Sequence, residues 1–146
     1  MVLVTKIFHF EMAHALWNYD GKCKQLHGHS YILEVKLQGE RINNPLDPKN
    51  GMIIDFGDLK SIIKTHIIEV FDHSVVLNKK ASEADLTTVS GLFDNAIIVD
   101  YQPTCENLVV DFAQKIMPLL PTKVKLYALK LYETATSYAE WYNDKL

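Results

Sequence analysis

The sequence predicts an α+β fold in which an antiparallel four-stranded sheet carries two helices packed on one face. Three observations predict it: the chain opens with two alternating apolar segments, continues with two segments of helical spacing, and closes with two further alternating segments. The order of elements is therefore strand, strand, helix, helix, strand, strand. Because 146 residues is the length of one ordinary domain, we expect residues 1–146 to form a single domain.

The first two strands are predicted from alternation. Within residues 2–12 every second residue is apolar apart from Lys6, and the same parity continues to His14. Within residues 30–38 the side chains of one face are all apolar, and they are Tyr31, Leu33, Val35 and Leu37. One face of this strand pair should therefore be buried.

Two helices are predicted beyond a turn-rich loop. The segment GERINNPLDPKNG is dense in residues that supply turn geometry, so we expect an exposed loop there. Apolar residues then recur at helical spacing over residues 56–70, where Asp55 or Asp58 can cap the first N–H groups. A second helix is expected over residues 105–117, capped by Thr104 and ended by the proline that follows.

The end of the chain predicts a closing hairpin. Residues 123–132 and 138–142 are rich in β-branched, aromatic and alternating residues, which favour strands.

The segment before the second helix is less clear, because residues 79–101 fit either a long loop or a small additional strand over residues 96–99. The sequence does not decide between these two alternatives.

Composition and charge exclude several classes of function. The net charge is -3 and the lysines are scattered, so there is no broad basic surface and we expect no nucleic-acid partner. The chain shows no signal peptide, and no apolar run approaches the roughly 18 residues of a membrane span. We therefore expect a cytoplasmic protein without a membrane partner. Cys23 and Cys105 lie far apart in the chain, and we expect both to be free thiols.

Three histidines form a candidate metal site. His27 and His29 are two residues apart and continue the apolar face of the second strand, while His14 ends the first strand with matching parity. In an antiparallel hairpin the end of one strand lies beside the start of the next, so the imidazoles should converge. Three histidines without an obvious fourth protein donor suit Zn²⁺ with one open position, as in catalytic sites. The alternative is three unrelated histidines; His9 and His66 are assigned no function.

Several ordered motifs resemble a known enzyme family. The segment CKQLHGHSY resembles the Cys-x-x-x-His-Gly-His signature of the 6-pyruvoyltetrahydropterin synthase and 6-carboxytetrahydropterin synthase family. The segments FHFEMAHAL, GMIIDFGDLK, FDHSVVLN, PTCENL and LYETATS agree with it, so the resemblance covers nearly everything except residues 79–101. It implies the tunnelling fold, or T-fold, in which subunits join edge to edge around a barrel. A homo-oligomer, either a trimer or a hexamer of two trimers, would then have its active sites between subunits.

The resemblance also implies roles for individual residues. The zinc ligands are matched by His14, His27 and His29. The general base and its two catalytic partners are matched by Cys23, Asp72 and His73. The substrate contacts are matched by Glu133, which would bind the pterin, and by Glu106 and Thr104.

Most of these residues also have a purely structural interpretation. Cys23 could be a small buried hydrophobe or a fourth zinc ligand. Asp72 and His73 could form the polar end of a helix. Glu133 could be an ordinary charge at a strand edge, and Glu106 could be a first-turn acid favoured by the helix dipole.

The reaction that the resemblance implies acts on a small-molecule pterin. HGHS followed by an aromatic residue resembles the 6-carboxytetrahydropterin synthases of bacterial queuosine and deazapurine biosynthesis, whereas HGHN is more familiar among pyruvoyl-forming enzymes. We therefore expect a zinc-dependent lyase that converts 7,8-dihydroneopterin triphosphate to 6-carboxy-5,6,7,8-tetrahydropterin, acetaldehyde and triphosphate. The alternatives are the pyruvoyl reaction and a noncatalytic pterin-binding or metal-binding protein on the same fold.

Overall fold

The four predicted strands form the antiparallel part of one sheet. The computed structural model describes residues Met1–Leu146. Two long strands, β1 (Val2–Ala15) and β2 (His27–Gly39), pair with each other in antiparallel orientation. Two later strands, β5 (Val124–Tyr132) and β6 (Tyr138–Tyr142), continue the antiparallel sheet beyond β2.

Two further strands make the sheet six-stranded and mixed, so the prediction of a four-stranded, purely antiparallel sheet is wrong in this detail. β3 (Ser74–Asn78) pairs in parallel with the last four residues of β1, and β4 (Ala96–Val99) pairs in parallel with β3. The strand order is β4-β3-β1-β2-β5-β6. β3 is buried along most of its length, so it lacks the alternation from which strands are predicted. The additional strand over residues 96–99 is confirmed, and α3 (Glu83–Leu92) precedes it.

The first predicted helix is present with its predicted cap. Helical backbone runs from α1 (Phe56–Ile63) through a π-helical turn (Lys64–Ile68) into α2 (Glu69–Phe71). The Asp55 carboxylate accepts a hydrogen bond from the backbone N–H of Gly57 at 2.6 Å, which satisfies one of the free donors of the first turn.

The second predicted helix is α4 (Cys105–Ile116), and the hydroxyl of Thr104 caps it by accepting from the N–H of Asn107 at 3.3 Å. It ends in a short 3-10 turn (Met117–Leu119) that contains the expected proline. None of the helices has the length and hydrophobicity that crossing a membrane requires.

Both predicted helices pack on the same face of the sheet. They share one core of 24 buried residues with the inward side chains of the strands. Phe112 of α4 is fully buried, with its ring centroid 4.8 Å from that of Phe71 and 6.1 Å from that of Phe10. The α+β arrangement of helices on one sheet face is therefore confirmed.

Phe112→Ala should destabilise the protein strongly. The substitution empties a fully buried position between helix and sheet, so we expect the free energy of unfolding to fall by about 3–5 kcal/mol, measured by urea denaturation. Val110→Ala provides a matched control, because Val110 lies on the exposed side of the same helix; its effect should stay within about 0.5 kcal/mol. Equal losses in both variants would contradict this packing.

Candidate functional site

Three histidines converge where β1 ends and β2 begins. His14 is paired directly with His27 in the β1–β2 ladder, and His29 projects to the same face two residues later. The ring centroids are 4.6 Å apart for His14 and His27, 5.2 Å for His14 and His29, and 4.9 Å for His27 and His29. One nitrogen from each ring lies within 4.8 Å of the other two, so these side chains, the histidine cluster, could hold one metal ion.

Backbone carbonyls fix the tautomers of two of these rings. The Nδ1 atom of His14 is 2.7 Å from the carbonyl oxygen of Pro103, and that of His27 is 2.7 Å from the carbonyl oxygen of Gln25. A carbonyl only accepts, so each Nδ1 donates a proton and, in the neutral ring, Nε2 presents a lone pair. The two Nε2 atoms are 3.1 Å apart. Two lone pairs that face each other at this distance favour a cation between them.

The third ring supplies a buried nitrogen without a partner. The Nε2 atom of His29 is buried and has no hydrogen bond. Because buried polar atoms normally have a partner, this nitrogen fits the role of a metal ligand. Burial is the main cause that lowers the pKa of both His14 and His29, although the negative charge of Glu133 acts in the opposite direction. The rings are therefore held in the neutral form that binds metals.

Glu133 lies beside the histidine cluster, directly after β5. Its Oε1 atom is 3.6 Å from Nε2 of His14 and 3.9 Å from Nε2 of His29. The buried hydroxyl of Tyr31 donates to the same oxygen at 3.5 Å. Burial, together with the charge of Glu133, raises the pKa of Tyr31, so its hydroxyl remains a donor. This carboxylate can therefore accept N–H donors of a ligand next to the candidate metal position.

Asp72 and His73 form a hydrogen-bonded pair in the turn before β3. Nδ1 of His73 is 3.0 Å from Oδ2 of Asp72. The backbone of Glu11 binds both residues: its N–H donates to Oδ1 of Asp72 at 2.8 Å, and its carbonyl accepts from the N–H of His73 at 2.6 Å. Partial burial raises the pKa of Asp72, but the hydrogen bonds from Glu11 and His73 outweigh it and lower the pKa overall. The carboxylate thus stays ionised and orients the imidazole.

The Asp72–His73 pair does not join the histidine cluster of its own chain. Neither residue offers an atom to the cluster, and the side chain of His73 is 79% exposed. A cleft of about 370 Å³ is lined by residues that include both His73 and His29. On the exposed face of the sheet beside it, Ser30 donates to the carboxylate of Glu11 at 2.7 Å. The Asp72–His73 pair, through His73, and the histidine cluster, through His29, therefore border one cleft without direct contact.

Cys23 and Cys105 are both free, as predicted, but differ in environment. Cys23 is exposed on a 3-10 turn (Lys22–Lys24) in the loop between β1 and β2, so the interpretation as a buried hydrophobe is wrong. Its sulfur is not part of the histidine cluster. Cys105 is buried, its thiol donates to the carbonyl of Leu131 at 3.1 Å, and burial is the main cause that raises its pKa to about 11. Only Cys23 is an accessible thiol.

The remaining predicted substrate contacts lie at the start of α4. Thr104 caps this helix, and Glu106 is an exposed acid in its first turn. Both follow Pro103, whose carbonyl binds His14. Reasoning from the sequence missed the carbonyls of Pro103 and Gln25, because main-chain acceptors leave no mark in a residue pattern. The hydroxyl of Tyr31 was missed because its position in the alternation indicated only an apolar wall.

The chain is similar to curated proteins over nearly its whole length. It is 33% identical over 144 residues to the 6-carboxy-5,6,7,8-tetrahydropterin synthase of Haemophilus influenzae, covering 97% of this chain and 99% of that protein. The protein of the same name from Rickettsia conorii is 31% identical over 142 residues, with 96% and 99% covered. That from Aquifex aeolicus is 30% identical, with 94% and 96% covered.

Solved structures and a family model agree with these relatives. The structure of Caenorhabditis elegans 6-pyruvoyl tetrahydropterin synthase superposes with a TM-score of 0.68 at 25% identity, covering 98% of this chain and 96% of that chain. An uncharacterized protein from Wolinella succinogenes shares the fold with a TM-score of 0.76 at 20% identity over 98% of both chains. These structures confirm the predicted tunnelling fold. The family model for 6-pyruvoyl tetrahydropterin synthase matches residues 3–144 of this chain. The chain belongs to the 6-pyruvoyl tetrahydropterin synthase family of lyases.

Proposed function

We propose that this protein is a zinc-dependent lyase that converts 7,8-dihydroneopterin triphosphate to 6-carboxy-5,6,7,8-tetrahydropterin, acetaldehyde and triphosphate. The observation that carries the proposal is the convergence of three imidazoles around the buried, unpartnered nitrogen of His29. The names of relatives that are 33% and 31% identical over nearly the whole chain support this choice of product.

The donor set supports zinc as the metal. His14, His27 and His29 would hold the ion through imidazole nitrogens. No fourth protein ligand belongs to the cluster, which leaves one coordination position open, as in catalytic zinc sites. When bound, zinc would supply Lewis-acid stabilisation of negative charge on the oxygens of the substrate side chain.

Glu133 would bind the pterin ring. A carboxylate has two acceptor oxygens, which match the paired N–H donors of a pterin. Its contacts with His14, His29 and Tyr31 support ring binding directly beside the zinc ligands. We assign Thr104 and Glu106 as further substrate contacts, because they follow the residue whose carbonyl binds His14.

Cys23 and His73 would move the protons. Cys23 is an exposed thiol that, as thiolate, can remove a proton from the substrate side chain. His73, oriented by Asp72 at 3.0 Å, can accept and return protons. In the net reaction the ring is reduced and the adjoining side-chain carbon is oxidised to a carboxylate with uptake of water. The bond from that carbon to the other two carbons breaks and acetaldehyde leaves, while triphosphate is eliminated.

We further propose a cytoplasmic homo-oligomer that joins sheets edge to edge, as a trimer or a hexamer of two trimers. β3 covers only the last four residues of β1, so most of one edge of β1 and the outer edge of β6 remain unpaired. Exposed edges of this kind are normally covered. An assembly could also bring the exposed His73 of one copy to the histidine cluster of another.

A second candidate is the 6-pyruvoyltetrahydropterin synthase reaction, favoured by the similarity to the Caenorhabditis elegans enzyme. It would share the early proton transfers but keep the carbon chain whole. We favour the carboxy reaction, which would place the protein in bacterial queuosine or deazapurine biosynthesis.

Removing one histidine of the cluster should greatly weaken zinc binding. His29→Ala deletes the unpartnered ligand nitrogen, so the zinc dissociation constant, measured by competition with a chromophoric chelator, should rise by more than about 100-fold. Acidification should also weaken binding to the wild type, because protonated imidazoles cannot ligate. His9→Ala, on the opposite face of β1, should bind zinc as the wild type does. An unchanged dissociation constant in His29→Ala would refute the proposed site.

The products should identify the reaction. Zinc-loaded protein incubated with 7,8-dihydroneopterin triphosphate should form acetaldehyde and 6-carboxy-5,6,7,8-tetrahydropterin in equal amounts, measured by a coupled dehydrogenase assay and by chromatography. Cys23→Ala should retain zinc but lose about 100-fold or more in turnover, because the general base is gone. Cys105→Ala is the matched control and should remain active. A pyruvoyl product without acetaldehyde would favour the second candidate, and full activity of Cys23→Ala would remove Cys23 from the mechanism.

A further inference from the structure

The loop that carries Cys23 is held mainly by local hydrogen bonds. It comprises residues 16–26 and joins β1 to β2. The N–H of Leu16 donates to the carbonyl of Cys23 at 3.0 Å, and the N–H of Gln25 donates to the carbonyl of Lys22 at 3.0 Å. These bonds define the shape of the loop but do not fix its position relative to the rest of the protein.

The side chain of Gln102 makes the only hydrogen bonds that join this loop to a segment outside β1 and β2. Its Oε1 accepts from the N–H of Trp17 at 3.0 Å, and its Nε2 donates to the carbonyl of Trp17 at 2.7 Å. A carboxamide offers one acceptor and one donor side by side, which matches the two main-chain groups of a single residue. A glutamate of the same size would lose the donor and place a negative charge against the Trp17 carbonyl.

Gln102 is itself fixed from two directions. The amide nitrogen of Asn78, at the end of β3, donates to Oε1 of Gln102 at 3.3 Å. The backbone carbonyl of Gln102 accepts from the N–H of Thr104 at 2.7 Å and from the side chain of Asn107 at 2.9 Å. The hydrogen bonds to β3 and to the start of α4 therefore fix the position from which the carboxamide contacts the loop.

The residue after Gln102 contacts the histidine cluster. The carbonyl of Pro103 accepts the Nδ1–H of His14 at 2.7 Å. One dipeptide thus binds a cluster histidine through Pro103 and the Cys23 loop through Gln102. We propose that Gln102 is a positioning residue that holds the loop of Cys23 in register with the histidine cluster. This role rests on the proposed function, in which Cys23 is the general base.

The test compares Gln102→Glu with Gln114→Glu, the same change on the exposed side of α4. In Gln102→Glu, amide hydrogen exchange in residues 16–26 should accelerate about tenfold or more, since the hydrogen bond to the Trp17 carbonyl is lost and a carboxylate faces that carbonyl, while exchange in α4 should stay as in the wild type. Turnover should fall by about 100-fold at unchanged KM and zinc affinity, because displacement of a reacting group by about 1 Å has an effect of this size. Gln114→Glu should match the wild type in all these measurements.

The two proposals fail in different ways. Unchanged loop exchange in Gln102→Glu, or faster exchange with unchanged turnover, would overturn the positioning role while leaving the lyase reaction intact. Faster exchange throughout the protein would also overturn it, because that pattern indicates a general loss of stability. Absence of turnover in the zinc-loaded wild type would instead refute the proposed function, and loop exchange alone would then decide whether Gln102 holds the loop.

Discussion

The antiparallel pairing of β1 with β2 is the constraint on which the candidate site depends. It places His14 opposite His27, and the period of two places His29 on the same face. A shift of either strand by one residue would move its histidines to the outer face of the sheet. Such a shift would also expose Phe10 of β1 or Tyr31 of β2, whose rings stack 5.2 Å apart in the core. The packing of the hydrophobic core therefore also fixes the geometry of the histidine cluster.

The predictability of each element follows from how much of its surface faces the core. β1, β2, β5 and the two main helices each bury one face, and β6 packs one half-buried face against the core, so their periodicity is visible in the sequence. β3 is buried along most of its length and shows a short apolar run without alternation. α3 has no buried residue, and a helix without a buried stripe leaves no helical pattern. The sequence therefore predicted neither β3 nor α3. It offered β4, over residues 96–99, only as one of two alternatives.

The same reasoning explains which parts of the site were predictable. Face parity within a hairpin depends only on sequence spacing, so the convergence of three histidines followed from the pattern. The contact between Glu133 and the cluster depends on the register of β5 against β2, which pairs Ile32 with Tyr132 and contains an irregularity at Lys36 and Leu37. A register shift of this kind has no signature in hydrophobic alternation. The position of Glu133 beside the histidines therefore required the structure.

Burial separates two kinds of imidazole in this protein. His14 and His29 of the cluster are at least partly buried, and desolvation favours the neutral form in which an imidazole can bind a metal. The side chain of His73 is exposed and hydrogen-bonded to Asp72, which suits a group proposed to accept and return protons. Its backbone is in the left-handed region, at φ 57°, a conformation that costs a residue with a side chain about 1 kcal/mol or more. Glu11 holds that conformation by donating its N–H to Asp72 and accepting the N–H of His73 at its carbonyl, and it lies in β1, three residues before His14. The strand that carries His14, the first of the proposed metal ligands, thus also positions the proposed proton carrier.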